Sequence, residues 1–178
     1  MTTTQFWLNV STSFTASFIF LFVLLILFKP KILISPNICK GKLNDSDPNE
    51  YYFIKIINYS LFNAFDVKAE LIQNETYTSE KKQLNTRNTS LSLVVGQVSH
   101  IPGYRPSWLR KNAPYAIRVR TIDALEPILN DDHKSVIIKV SLRHGLTGLA
   151  KVKTREYSDI SHLKKGRFKY GLTFGVLN

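Results

Sequence analysis

Four histidines, one cysteine and a scatter of carboxylates are the groups in this chain that could hold a metal or move a proton, and their spacing does not bring them together. His100, His133, His144 and His162 stand apart, none within three to five residues of another ligand in a pattern that closes a zinc site. Asp131-Asp132-His133 is the tightest cluster, and it reads as a solvated turn. The stretches from Gly145 to Gly148 and from Gly171 to Gly175 have neither the spacing nor the following helix of a phosphate-binding loop, and no nucleophile elbow occurs. Cys39 is the single cysteine, so no internal disulfide can form and the fold must be held by packing, as in a reducing compartment. The expectation is a chain with no catalytic residue, no metal and no cofactor.

Cations make the one constellation that rises above background. Of the net charge of +11, residues 29–100 carry 9 basic and 7 acidic groups, whereas residues 101–178 carry 15 basic and 6 acidic. Alternation is expected to turn Lys139 and Arg143 outward on one strand and Lys151, Lys153 and Arg155 outward on the next, with Arg118 and Arg120 extending the same face. Like charges opposed across strands repel, so this face calls for compensation from Asp66 and Glu70 or from an anionic ligand. A Pro-, Gly- and aromatic-rich loop over residues 97–112 offers a second contact surface in Tyr104, Arg105, Trp108, Arg110 and Lys111, although Trp108 could equally cap one end of the fold. A third basic run, Lys164, Lys165, Arg167 and Lys169, is interleaved with Phe168 and Tyr170, a composition that also suits nucleic acid.

These groups must be positioned by two very different parts of the chain. Residues 6–28 are uncharged and, at about 1.5 Å per residue, reach roughly 34 Å, enough to cross a hydrocarbon core of about 30 Å once. There is no positive n-region and no small-residue cleavage site, so the segment reads as a retained anchor rather than a signal peptide. Lys29, Lys31, Lys40 and Lys42 all follow it, which places the N-terminus outside and the remainder in the cytosol. The Asn-X-Ser/Thr tripeptides at Asn9, Asn58, Asn74 and Asn88 are then read as chance occurrences.

Beyond the anchor, residues 29–50 form a juxtamembrane segment and first strand, and residues 51–178 an all-β domain. Period-two alternation marks Ile32, Ile34 and Ile38; Tyr52, Ile54 and Ile56; Phe65, Val67, Ala69 and Leu71; Leu91, Leu93 and Val95; Tyr115, Ile117 and Val119; and Val136, Ile138, Val140 and Leu142. A last strand at about 149–157 is joined to its predecessor by a glycine-bearing hairpin. One short helical turn begins at Asp123, which is expected to cap it, and Pro127 keeps it short. Seven or eight short strands without a long helix read as a β-sandwich, here an immunoglobulin-like one.

Residues 56–73 read like the second and third strands of an immunoglobulin-like domain. The succession of Thr121 to Leu129, a strand from Ser135 to Leu142, a Thr147-Gly148 turn, Arg155 to Tyr157, and Gly166 with Phe168 resembles the cytoplasmic β-sandwich of inward-rectifier potassium channels. The likeness covers roughly residues 50–170. It implies the sandwich and self-association into a homo-oligomer, but not conduction, because the chain has one apolar helix and no carbonyl-lined filter. The combined expectation is a non-catalytic interaction or regulatory module tethered to the lipid bilayer, its target anionic lipid headgroups or a membrane protein partner, with nucleic acid the less economical choice for a tethered domain. The alternatives are a subunit of an oligomeric membrane assembly and, third, an enzyme working close to the membrane.

Overall fold

The computed structural model describes residues 2–27, 30–44, 47–78, 84–106 and 113–177. The chain begins with α1 (Thr3–Leu27), which contains neither Gly nor Pro. The hydroxyls that interrupt its apolar run donate to carbonyls one turn back: Thr12 to Leu8 at 2.8 Å, Thr15 to Ser11 at 2.8 Å and Ser17 to Ser13 at 2.9 Å. This back-bonding satisfies the Ser and Thr hydroxyls within the helix itself. Residues 3–24 are long and apolar enough to cross a membrane, and none of the most apolar window is buried against the rest of the chain.

Twelve strand segments, one short α-helix and one 3-10 turn (Ile160–His162) follow among the described residues: β1 (Ile32–Ile34), β2 (Ile38–Lys42), β3 (Glu50–Asn58), β4 (Ala64–Thr78), β5 (Leu84–Leu91), β6 (Gln97–Ile101), β7 (Ala116–Thr121), α2 (Glu126–Leu129), β8 (Lys134–His144), β9 (Ala150–Tyr157), β10 (Leu163–Lys165), β11 (Arg167–Phe168) and β12 (Val176–Leu177). In the first sheet, β1 and β2 line one edge of β3 in succession, β7 lies along its other edge, and β10 runs parallel to β2. In the second, β5 and β6 share one edge of β4, with β8 and then β9 on the other side. Both sheets are open. Ile34, Ile54, Ile56 and Val119 from the first and Val67, Leu71, Ile138, Val140 and Tyr157 from the second belong to one buried cluster, so the inner faces share a core.

The strand count exceeds the expected seven or eight because Ser35 and Pro36 split the first strand in two and because the C-terminus adds three short pieces. Those pieces give β3 its second buried face. Ile54 and Ile56 point to the main core, while Tyr51 and Phe53 pack with Cys39 and Phe168 under the β11–β12 hairpin. Gly166, at φ +120°, links β10 to β11 where an added Cβ would lie 2.0 Å from the Leu177 carbonyl oxygen. Only glycine fits there. Burial lifts the Cys39 thiol to about 11, so it is protonated and inert.

Three expected details differ. Phe65 was assigned to the inner face with Val67, yet it is 42% exposed, because Asp66 at φ +50° forms a bulge that resets the alternation between Phe65 and Lys68. The strand expected at Leu91, Leu93 and Val95 ends at Leu91; the amide of Ser92 turns to Asp123 Oδ2 at 2.6 Å and that of Val94 to the Arg120 carbonyl at 2.9 Å. Asp123 therefore does not cap α2, whose N-cap is Leu125.

Lys55 is the polar pillar of the outer layer. It is buried, and its Nζ donates to the carbonyl oxygens of Lys169 at 2.7 Å, Gly171 at 2.7 Å and Thr173 at 2.8 Å. Burial, and then the neighbouring Arg118 charge, pulls its pKa down to about 8, which still leaves an ammonium at neutral pH with all three protons placed. Replacing it by Met strands three carbonyls, and at about 1–3 kcal/mol for each unsatisfied group Lys55→Met is expected to lose roughly 3 kcal/mol or more in urea unfolding of the full chain. Limited proteolysis at Lys169 should accelerate in parallel, and an unchanged cleavage rate would contradict the role.

Candidate functional site

The cations expected on one face occupy three places. On β9 the register pairs Leu142 with Lys151, Val140 with Lys153 and Ile138 with Arg155. Residues directly opposite share a face, so these three turn inward with the core residues of β8, and Val152, Thr154 and Glu156 turn out. The outward assignment was wrong by one residue. At this open edge their long stems reach β1. Lys151 Nζ donates to Pro30 O at 2.6 Å, Lys153 Nζ to Ile32 O at 2.9 Å and Arg155 NH1 to Ile34 O at 3.4 Å, and the buried Tyr157 hydroxyl completes the row on Ser35 O at 2.7 Å. These carbonyls face away from β3, whereas Lys31 O faces it and accepts from Tyr59 N at 2.7 Å. Side chains of the second sheet thus cap an edge strand of the first.

Lys139 and Arg143 do point outward, and the expected compensation is present: Lys139 lies 3.6 Å from Glu70 and Arg143 3.7 Å from Asp66. Arg118 and Arg120 are on the opposite side of the molecule, on the outer face of the first sheet, paired across β3 with Lys55 and Phe53. Arg120 is held against the Tyr51 ring, 5.3 Å from its centroid.

A different set converges at the end of the domain that receives the chain from α1. The registers Ile32 to Asn58, Ile57 to Ala116, Ala64 to His144 and Ala64 to Ile101 bring six strand ends to that one end. Buried Asn58 ties the loops together, its amide donating to the carbonyls of Phe62 at 2.9 Å, Ile101 at 3.1 Å and Pro102 at 3.1 Å. Gly103 lies so close to the Leu61 carbonyl that a Cβ would come within 2.3 Å of it. Outside this frame stand Leu61 at 72% exposure, Leu146 at 49% and Tyr59 at 44%. Tyr59 stacks on Tyr104 at 5.4 Å, and Lys31 and Arg105 are exposed beside them. Of the loop set, Tyr104 and Arg105 join this cluster; residues 97–101 of that loop are β6, and Trp108, Arg110 and Lys111 lie outside the described residues. Leu61 and Leu146 lie in short turns with no periodicity to mark them.

His144 closes the inner side of this end. Its Nδ1 lies 3.1 Å from Thr147 Oγ1, its ring meets Phe62 edge-on at 5.5 Å, and Nε2 is buried with no hydrogen-bond partner among the described residues. Burial holds its pKa below the usual value. No group of three or more His, Cys, Asp or Glu that could hold a metal occurs among the described residues.

The architecture defines a mostly-β protein with one apolar N-terminal helix. No family model matches the chain, and no curated protein matches it. Among solved structures, the sporulation control protein Spo0M from Bacillus subtilis aligns with 76% of this chain at 8% identity and a TM-score of 0.41, and the structural-genomics target SoR45 aligns with 80% at 11% identity and 0.29. The chain spans 49% of Spo0M and 95% of SoR45. Likenesses this distant assign no function.

Two outcomes follow from this geometry. Lys153→Met removes a charge-assisted bond to an edge carbonyl and should cost about 1.5–3 kcal/mol, whereas Lys139→Met, which breaks an exposed pair, should cost about 1 kcal/mol or less; equal losses in urea unfolding would refute the inward placement. Because the folded pKa of His144 lies below its unfolded value, the unfolded chain takes up the proton first. Its contribution is complete above about pH 6.5 and declines as pH falls below that. Unfolding free energy should therefore drop between pH 7.5 and 5.5, and His144→Gln should flatten that slope.

Proposed function

We propose that the chain is a membrane-anchored, non-catalytic interaction module. In this reading α1 crosses the bilayer with its N-terminus outside, and the cytosolic domain, an immunoglobulin-like β-sandwich, rests the end nearest the helix on anionic lipid headgroups. The observation that carries it is the coincidence of that end with the exposed Tyr59, Leu61 and Leu146 and the half-buried Tyr104, flanked by Lys31, Arg105 and Arg143. Only four residues lie between Leu27 and Ile32, and five Cα-to-Cα steps at about 3.5 Å each span at most roughly 17 Å. Apolar and tyrosine side chains with cations around them suit the headgroup level, where each nearby Lys or Arg contributes about 1 kcal/mol toward an anionic surface. The anionic contact thus falls to Lys31, Arg105 and Arg143, while Lys151, Lys153 and Arg155 hold the fold together.

Cys39 is buried, so an introduced surface cysteine can be labelled alone. A fluorophore at Leu61→Cys in the nanodisc-reconstituted full chain should be quenched by headgroup-level quencher lipid, more so when phosphatidylserine is present. The same probe at Asp132→Cys, near the start of β8 and about 33 Å away along that strand, should not be quenched. Absence of quenching at position 61 would overturn the docked arrangement. A C-terminal reporter should be active on the cytosolic side, and activity confined to the outer side would overturn the orientation.

A further inference from the structure

The outer face of the first sheet and the C-terminal hairpin enclose a cleft of about 370 Å³, whose lining includes Lys42, Arg118, Arg167, Phe53, Phe168 and Tyr170. That volume lies within the range of small-molecule sites. No described carboxylate lines it. Six of the described acids pair with cations elsewhere: Glu50 and Glu126 with Lys40, Asp131 and Glu75 with Lys134, Glu70 with Lys139, and Asp66 with Arg143. A smaller adjoining hollow of about 90 Å³ shares Arg118, Phe168 and Tyr170 and adds Lys55 and Lys169. Cations therefore crowd this side of the sheet, and Arg118, directly across from Lys55, is close enough to depress the lysine's pKa.

The wall of the cleft is fixed before any ligand arrives. Phe168 is buried against Phe53, and the chain from Lys169 to Thr173 hangs from the Lys55 ammonium by three hydrogen bonds. Tyr170, held at that wall, is 85% exposed. An aromatic ring kept open to solvent beside guanidinium groups is a stacking surface with charge next to it.

We propose that this cleft binds a small phosphate-bearing ring compound of mononucleotide size. The phosphate is met by Arg118, with Lys42 at the rim, and the ring lies on Tyr170 against Phe168 and Phe53. Guanidinium groups match phosphate oxygens in paired hydrogen bonds, and the three aromatics favour a flat ring over an inorganic ion. The site lies on the flank of the domain, away from the end proposed to meet the bilayer, and does not depend on that contact.

Calorimetric titration of the full chain, in nanodiscs of neutral lipid to remove a competing anionic surface, tests the proposal with three probes: adenosine monophosphate, inorganic phosphate and adenosine. The nucleotide should bind saturably and at least tenfold more tightly than either half alone. Arg118→Gln should weaken the nucleotide at least tenfold, and Tyr170→Ala should weaken it while leaving phosphate unchanged. Both side chains are exposed, so the variants should keep the parent's melting curve. A nucleotide that binds no better than phosphate, or an affinity that neither substitution alters, would overturn the site.

Discussion

The outward carbonyls of β1 set the condition that the rest of the domain meets. An edge strand presents unpaired backbone groups, and β1 is only three residues long and follows a helix whose most apolar window is not buried against the rest of the chain. A fourth strand hydrogen-bonded to it would close the sheet; instead β9, in the other sheet, sends Lys151, Lys153, Arg155 and Tyr157 across the opening to Pro30, Ile32, Ile34 and Ser35. Lys151, Lys153 and Arg155 and the carbonyls of Pro30, Ile32 and Ile34 both advance with a period of two, so each cation finds the next outward carbonyl. The long side chains act as a ladder where backbone cannot reach, and their stems cover the margin of the shared core. In this way the sheets are locked together and the start of β1 is fixed relative to the loops around Leu61 and Leu146.

The positive charge of the second half is put to several uses by this arrangement. Lys151, Lys153 and Arg155 serve the β1 edge, Lys55 from the first half supports the C-terminal segment, and Lys139 and Arg143 are matched by Glu70 and Asp66. Arg118 and Lys42 line the cleft on the outer face of the first sheet, and Lys31 and Arg105 stand exposed at the end nearest the helix. A basic composition thus resolves into internal hydrogen-bond donors, exposed ion pairs and separate cationic sites, rather than one continuous charged face.

Much of this was legible in the residues. Alternation located β3, β8 and β9, and the glycines at 145 and 148 marked the hairpin between the last two. The inward turn of Lys151, Lys153 and Arg155 was missed because charged side chains normally face water, yet Tyr157 has the same parity and is fully buried. Reading back from that tyrosine would have put all four on one inner face. The bulge at Asp66 left no comparable trace, since a left-handed aspartate looks like any other polar residue in an alternating run. The outer layer was invisible for another reason: β11 and β12 are two residues each, too short for a period, and their position depends on a lysine 114 residues away in sequence from the first carbonyl it holds.

The most direct measurement of the central claim is amide hydrogen exchange, by mass spectrometry on the full chain, with Lys151, Lys153 and Arg155 together replaced by Met. If the side-chain ladder holds β1 in place, peptides covering Ile32–Ile34 should lose protection by an order of magnitude or more while those covering β4 and β8 change little. Unaltered protection across β1, or a uniform loss throughout both sheets, would contradict the account.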